Sequence, residues 1–381
     1  MPESADIAII GGGPVGSALV LALRAARRNV VLLEARAADS ADARPLALSY
    51  GSRLILERLG VWSELAPAAT PIRHIHVSQR GGFGRVGLHA EEAGFPELGY
   101  VVDYGHLARV LAQAASATAA TCLTGARVTA WQGGDPASAE YAFAGSPRRI
   151  ATPLLVIADG AANDADVRTM DYQQCAVTAR VVSAQAHGHV AYERFTRHGP
   201  LALLPDGAGW ALVWTTEPGR AQKLCAAQPA AFLDELQTEF GSRVGRFTGV
   251  SGRAAYPLRL RRARHGDKAG VVRIGNAAQT LHPVAGQGFN LGLRDAWELG
   301  EHIIATKDAA VPGSAAWLEA YRTRRRLDRR GGTGFTHALV QLFSNDLPPL
   351  RAARGLGLTL LGALPPLKNF VVRRMTFGAR G

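Results

Sequence analysis

Residues 275–295 read GNAAQTLHPVAGQGFNLGLRD, and the fold turns on how this stretch is read. Gly, Asn, Gln, Pro and His at such density build no ordinary core element. Val271 to Ile274 ahead of it is a short buried strand end, and Pro283 with Gly286 and Gly288 predicts a turn that leaves backbone N–H groups free. A helix follows from about Gln287 to Thr306, because Phe289, Leu293, Ala296, Trp297 and Leu299 to Ile303 recur at helical spacing. Glycines before a helix N-terminus let a planar ring approach the backbone closely, and the positive helix end favours an anion there. A reduced flavin, anionic along its N1/C2 carbonyl edge, is such a group. A Gly-rich loop that merely caps a helix has the same composition, so the stretch needs support from elsewhere in the chain.

That support comes from the N-terminus. Asp6 to Ile10 is a short apolar strand, followed by Gly11, Gly13 and Gly16 in G-x-G-x-x-G spacing. A helix is predicted from about Val15 to Arg27 and a strand from Val30 to Leu33 that ends in Glu34. This order is a dinucleotide-binding βαβ unit: glycines for the tight turn and the close pyrophosphate, a helix N-terminus for its charge, and a carboxylate for ribose hydroxyls. The motif alone does not separate NAD from FAD. Between the two ends, Leu154 to Ala158 is a third apolar strand, running into Asp159 and Gly160.

Three glycine-bearing segments in this order resemble the class A flavin monooxygenases, with the Asp-Gly pair as their central motif. Within that class the 275–295 stretch is similar to the ubiquinone-biosynthesis hydroxylases. ARPLALS at 43–49, PIRHIHVSQRG at 71–81, ERFTRHGPLALLP at 193–205, AYPL at 255–258, and Tyr321 with Arg324, Arg325 and Asp328 agree with that branch. The likeness covers nearly the whole chain, and the 193–205, Leu212–Trp214 and Leu339–Phe343 segments look most like the 2-polyprenyl-6-methoxyphenol hydroxylase type. Two positions depart from the superfamily. Asn163, Asp164 and Asp166 stand where a Ser and then an Arg commonly follow Asp-Gly, the first Arg being Arg168, and Gly275-Asn276 replaces Gly-Asp.

The resemblance implies an α/β fold: a Rossmann-like FAD-binding domain, an inserted, mostly antiparallel β-sheet substrate domain, and a C-terminal helical segment. The corresponding boundaries are 1–72, 100–171 and 254–330 for the FAD domain, 73–99 and 172–253 for the insertion, and 331–381 for the tail. FAD would be held by Gly11, Gly13, Pro14, Val15, Gly16 and Glu34, by Asp159 and Gly160, and by Gly275, Asn276, Pro283, Gly286, Gln287, Gly288, Phe289 and Asn290. Arg44 is implied near the pyrophosphate, where a fixed cationic fork suits phosphate, and Val128 beside Arg127 passes the adenine. The implied reaction is aromatic hydroxylation with NAD(P)H as transient reductant and O2 as oxygen source, on a prenylated phenol. A free phenol has a pKa of about 10, so the site must hydrogen-bond or deprotonate the hydroxyl to make the ring nucleophilic. His282 and Tyr256 are the candidates for that chemistry, and Arg194, His198 and Trp214 for substrate contacts from the sheet side. Packed or solvated roles are the alternative for each.

Composition sets outer bounds. A chain of 381 residues, 47% hydrophobic, can bury a large core, and one G-x-G-x-x-G argues against a two-nucleotide disulfide reductase. The net charge of +12 invites a nucleic-acid partner, but the arginines are dispersed and no helix-turn-helix, zinc or RNA-stacking signature accompanies them. Cys122, Cys175 and Cys225 are mutually remote, which predicts reduced thiols and no metal site. No secretory signal is evident and no run reads as membrane-spanning, so a cytoplasmic enzyme is expected, peripheral at most to the inner face of the cell membrane. Beyond residue 331, six basic side chains face only Asp346 and alternate with leucines, which reads either as a helical lid or as a bilayer-docking surface. Association with other ubiquinone-biosynthesis proteins is a further implication of the resemblance. Alternatives are hydroxylation at another ring position or of another aromatic substrate, and a catalytically silent flavoprotein scaffold. A halogenase lacks support because Trp-x-Trp-x-Ile-Pro is absent.

Overall fold

The computed structural model describes residues 2–36, 42, 44–160, 167–263, 268–280, 287–306, 311–343 and 348–378, with side-chain detail except at 167–168, 262–263, 287, 330 and 332–351. The chain opens with β1 (Ile7–Ile10), α1 (Pro14–Ala22) and β2 (Val30–Glu34). It continues through β3 (Pro45–Ser49), α2 (Tyr50–Arg58), α3 (Trp62–Leu65), β4 (Thr70–Ile72), β5 (His74–Gln79), β6 (Arg85–His89), β7 (Gly99–Asp103) and α4 (Tyr104–Ser116). Next come β8 (Thr121–Thr124), β9 (Arg127–Gln132), β10 (Ala137–Phe143), β11 (Ser146–Thr152) and β12 (Leu154–Ile157). The insertion and return are β13 (Val167–Ser183), β14 (Val190–Thr196), β15 (Gly199–Asp206), β16 (Gly209–Thr216), α5 (Pro218–Ala226), α6 (Pro229–Phe240), β17 (Phe247–Ala263), β18 (Val271–Arg273) and β19 (Gln279–Thr280). The C-terminal third is helical: α7 (Gln287–Ile304), α8 (Ala315–Phe343), α9 (Pro348–Ala363) and α10 (Pro365–Phe377).

The nucleotide half is a parallel sheet in the order β18-β12-β1-β2-β8. Its strands read as unbroken apolar runs because both faces are covered. Ile7 and Ile9 enter the core beneath α1 and α7, while Ala8 and Ile10 enter a second core against Tyr141 and Ile150 of the β9–β11 sheet. The predicted helix to Arg27 stops at Ala22, because Arg24 folds back to donate to the Leu21, Leu59 and Arg58 carbonyls at 3.0, 3.3 and 2.8 Å. These bonds close the helix end and tie it to the chain leaving α2.

The second layer is an eight-stranded sheet, β19-β17-β13-β16-β15-β14-β5-β6, antiparallel except where β14 runs parallel to β5. One face buries Val177, Leu201, Leu203, Leu212 and Trp214 against α5 and α6. The other face stands over the nucleotide sheet. The expected boundaries at 171/172 and 253/254 fall inside β13 and β17, two 17-residue strands that run from the upper sheet back to the nucleotide half. Likewise, 330/331 lies within α8, so helix and strand continuity, rather than linkers, joins the layers. No single helix among the described residues is long and apolar enough to cross a membrane, and α9 and α10 meet at a bend of 98°. Cys122, Cys175 and Cys225 are free thiols, each pushed up in pKa by burial.

Candidate active site

Adjacent strands of the parallel sheet end in the segments singled out from the sequence. Gly275 follows β18, Asp159 and Gly160 follow β12, Gly11 follows β1, and Glu34 ends β2. A parallel sheet puts the carboxyl ends of all its strands on one edge, which is where nucleotides bind in open α/β folds. The glycines make this convergence tight. Gly11 has φ +102, and a Cβ there would lie 2.5 Å from the Asp159 Cα; a Cβ on Gly16 would lie 2.0 Å from the Gly11 carbonyl oxygen. Gly275, at φ +59, packs on Val15, and Gly292 of α7 in turn approaches Gly275.

Above this edge lies a cavity of about 1510 Å³. A drug-sized ligand needs roughly 300–1,000 Å³, so there is room for a dinucleotide and a second molecule. Gly11, Gly13, Pro14, Val15, Glu34, Arg44, Val128, Asp159, Gly160, Gly275, Asn276, Gly288, Phe289 and Asn290 all line it, and the remaining N-terminal glycine, Gly16, packs behind them. Among the described residues no side chain caps α1, and its first turn faces the cavity, leaving N–H groups for an anion. Among the described residues, Cβ positions on Gly13 and Gly288 meet nothing nearer than the Arg36 guanidinium at 4.0 Å. Glu34 accepts the Gly12 N–H at 2.6 Å and the Arg36 Nε at 2.9 Å. Burial pushes its carboxyl up, but Arg36 and the Gly12 N–H outweigh burial and hold it below the usual range, so it is ionised and able to accept ribose hydroxyls. The residues present fit FAD.

The remaining expected residues divide between the cavity and other surroundings. Arg44 lines the cavity with its guanidinium bound to Asp42 and lying 5.0 Å from the Tyr256 ring centroid and 5.6 Å from that of Tyr104. Tyr256 is 37% exposed and reaches the cavity from β17. The Asn290 amide is engaged in structure: its Oδ1 accepts Ser49 N–H at 2.9 Å and Ser52 Oγ–H at 2.7 Å, and its Nδ2 donates to the Ala47 carbonyl at 3.0 Å. Arg194, His198 and Trp214 lie away from the cavity. Trp214 is fully buried on the helix-covered face against Phe232, Arg194 donates to the Glu239 carbonyl at 3.2 Å, and His198 accepts from Arg197 at 2.9 Å. For Arg194 and Trp214 the reason is strand parity, since their strand neighbours Phe195 of β14 and Val213 of β16 take the cavity face, while His198 sits in the turn between β14 and β15. His282, Pro283 and Gly286 lie outside the described residues, as does the side chain of Gln287.

Sequence reasoning missed the ion network that positions the Gly275 turn. Asp295 is fully buried; its Oδ2 accepts the Gly275 N–H at 3.2 Å, and its Oδ1 accepts Arg325 Nε at 2.8 Å and Arg329 Nε at 3.3 Å. Arg325, also fully buried, reaches Glu298 at 2.7 Å and Asp328 at 2.9 Å. Burial lowers the Arg325 pKa, but the surrounding carboxylates reverse this and leave it raised. The signal was the run Arg324, Arg325, Asp328, Arg329 at one-turn spacing, which as sequence alone is equally a solvated face.

Similarity to known proteins agrees with this geometry. Residues 4–330 match the family model described as FAD binding domain. The chain is 34% identical over 384 residues to ubiquinone hydroxylase UbiL of Rhodospirillum rubrum, covering 97% of this chain and 89% of that protein. It is 32% identical over 375 residues to 3-demethoxyubiquinol 3-hydroxylase of Escherichia coli, covering 93% and 94%. The crystal structure of p-nitrophenol 4-monooxygenase PnpA from Pseudomonas putida superposes with a TM-score of 0.78 over 100% of both chains; at 18% identity that likeness is one of fold. The chain therefore belongs to the FAD-binding-domain family and, within it, to the FAD-dependent monooxygenases of the ubiquinone-biosynthesis hydroxylase type.

Proposed function

We propose that this monooxygenase hydroxylates a polyprenylated phenol, converting 2-polyprenyl-6-methoxyphenol to 2-polyprenyl-6-methoxy-1,4-benzoquinol with NAD(P)H and O2. The observation that carries the proposal is the continuity of one cavity. It runs from the glycine edge beneath an apolar sheet face to the inward sides of α9 and α10, where Leu358, Leu361, Val372 and Met375 form its wall. A polar ring with a long hydrocarbon chain matches that gradient. When bound, reduced flavin supplies electrons and activates O2 for transfer to the ring. The chain's own residues do the rest. The α7 N-terminus offers N–H groups to negative charge, and the apolar walls exclude water from the reacting pair. The similar proteins named above include hydroxylases of the ubiquinone ring, which supports the substrate class.

The test is NAD(P)H oxidation by the purified flavoprotein with and without a short-chain 2-prenyl-6-methoxyphenol, with product identified by mass. Stimulated oxidation that yields the 1,4-hydroquinol is the expected result. Stimulation with oxygen at another carbon would redirect the proposal to a different ring position, and a yellow protein without stimulation would leave a silent scaffold as the better reading.

The same helices support peripheral contact with a bilayer. Leu356, Leu360, Leu364, Leu367 and Phe370 are 44–63% exposed on the side of α9 and α10 turned away from the cavity. Phe83 continues the patch, its ring against Gly355 of α9. Arg373, exposed one turn on from Phe370 in α10, is where anionic head groups would be met. The cavity behind would receive a prenyl chain from that side. Deleting residues 345–381 would also remove cavity wall, so the cleaner variant is Leu360→Glu, Leu367→Glu, Phe370→Glu. It should keep FAD and lose co-sedimentation with anionic liposomes by about tenfold or more, since each apolar side chain withdrawn from lipid costs roughly 1.5–3 kcal/mol. Unchanged co-sedimentation would refute the docking surface.

A further inference from the structure

The apolar sheet face above the cavity carries an acidic side chain that the nucleotide site leaves unused. Along β14, Ala191, Glu193 and Phe195 line the cavity. Glu193 pairs laterally with Val77 of β5 and Ala202 of β15, and the next strands add Val86 and Val213 to the same row. All four neighbours are cavity-lining and apolar. The carboxyl of Glu193 has no hydrogen-bond or ion-pair partner among the described residues.

Its position along the strand is equally specific. Ala191 packs with Ile72 and Val101 on the nucleotide side. Phe195 packs with Val86, Leu88, Leu358 and Val372 at the helical end. Two residues of strand separate Glu193 from each, about 7 Å. A bound amphipathic phenol would have its chain beside Phe195 and its ring near the flavin edge, which brings the polar head of the molecule past Glu193.

We propose that Glu193 is the base for ring hydroxylation, its carboxylate accepting the proton of the substrate's phenol hydroxyl as the ring attacks oxygen. The inference rests on the phenol reading given above. The O–H bond breaks, its electron pair stays on the ring oxygen and raises electron density at the para carbon, and the proton moves to a Glu193 oxygen. Once oxygen is inserted, the para C–H proton passes to the second oxygen atom of O2, which leaves as water, and Glu193 returns its proton to the ring oxygen. The carboxylate is regenerated, and nothing beyond the NAD(P)H, O2 and one solvent proton of the hydroxylation is consumed.

The electrostatics agree with this role. Glu193 retains partial accessibility, but that surface faces the cavity and not bulk water, and burial pushes its carboxyl up to about 7. No charged neighbour among the described residues contributes to the shift. The packed elements face it with Val77, Val86, Ala202 and Val213, while the ionisable groups elsewhere on the substrate side of the cavity include Tyr192 of β14, Arg354 of α9 and Tyr256 of β17. A base with a pKa near the working pH gives the best compromise between being ionised and being able to hold a proton. The sign follows: the active form is the carboxylate, so turnover rises with pH through about 7.

The test is Glu193→Gln, which keeps shape and hydrogen bonding but cannot take the proton. FAD stoichiometry should be unchanged, hydroxylation should fall by about 10²–10⁴ in kcat, and the acid limb of the kcat/KM profile should vanish. A variant within twofold of wild type with the same profile overturns the assignment. Binding of 2-prenylphenol against its methyl ether separates this assignment from the functional reading, because it needs no turnover. Above pH 7, wild type should favour the phenol by about ten- to a hundredfold and Glu193→Gln should lose that preference. Should the enzyme hydroxylate no prenylated phenol, the functional reading fails while the binding preference still decides Glu193; equal affinity of wild type for phenol and ether overturns Glu193 by itself.

Discussion

Gly288→Phe should fold as wild type does and purify without FAD. The position lies in the first turn of α7, its Cβ direction meets nothing within 4 Å among the described residues, and it lines the cavity. The protein therefore accommodates a side chain there, and what it excludes is the ring that would occupy the same space. Overpacking costs about 1–3 kcal/mol where neighbours can yield. A tricyclic ring has no rotamer with which to yield, so a loss of at least about a hundredfold in FAD affinity follows. Gly13→Leu should behave alike at the pyrophosphate end. Gly16→Ala provides the contrast, since its Cβ would meet the Gly11 carbonyl at 2.0 Å and must move the protein's own backbone. It should lose stability and flavin together. The measurements are the flavin-to-protein absorbance ratio and thermal unfolding of each variant. Stoichiometric FAD in Gly288→Phe with an unshifted Kd would sink the placement of α7 against the ring.

Asp295→Ala should cost about 3–5 kcal/mol of stability, because removing one partner of a buried ion pair leaves the other charge uncompensated. Here the orphan is Arg325, whose side chain is fully buried and held between Asp295, Glu298 and Asp328. Part of the charge stays neutralised by Glu298 and Asp328, which places the expected loss toward the lower end of that range. The Gly275 N–H loses its acceptor in the same change, so FAD affinity should fall even in chains that remain folded. Urea unfolding of the flavin-free proteins measures the first effect and FAD titration the second. Added salt should leave the difference nearly intact, since ions do not screen a pair they cannot reach. A stability change within about 0.5 kcal/mol, the usual range for surface positions, would mean that the network is dispensable.

The two halves of the molecule differed in how much local sequence revealed. For the nucleotide half, Gly11, Gly13, Gly16, Glu34, Asp159 and Gly275 each carry their requirement with them: a positive φ, a close backbone approach, or a carboxylate at a strand end. Apolar runs such as Ile7–Ile10 and Leu154–Ile157 mark strands covered on both faces, so their place in a parallel sheet follows without knowing which neighbours cover them. The substrate face was far less legible. Arg194 and Trp214 attract attention as polar and aromatic side chains, yet a strand's two faces are equivalent until packing assigns one to the helices and the other to the cavity. Glu193 was quoted only as part of a family-like segment, because nothing local distinguishes a solvated glutamate from one buried among Val77, Val86, Ala202 and Val213.

Backbone constraints act over a few residues, so the identity of the fold and of its nucleotide edge is written locally and can be read from one chain. Burial, charge pairing and the shape of a cavity arise between segments far apart in sequence, such as Gly275 with Asp295 and Arg325, or β14 with β5 and α9. Those juxtapositions exist only once the chain is packed. They decide which carboxylate is structural, as in Asp295 beside Arg325, and which stands on the substrate side of the cavity with no partner among the described residues, as in Glu193.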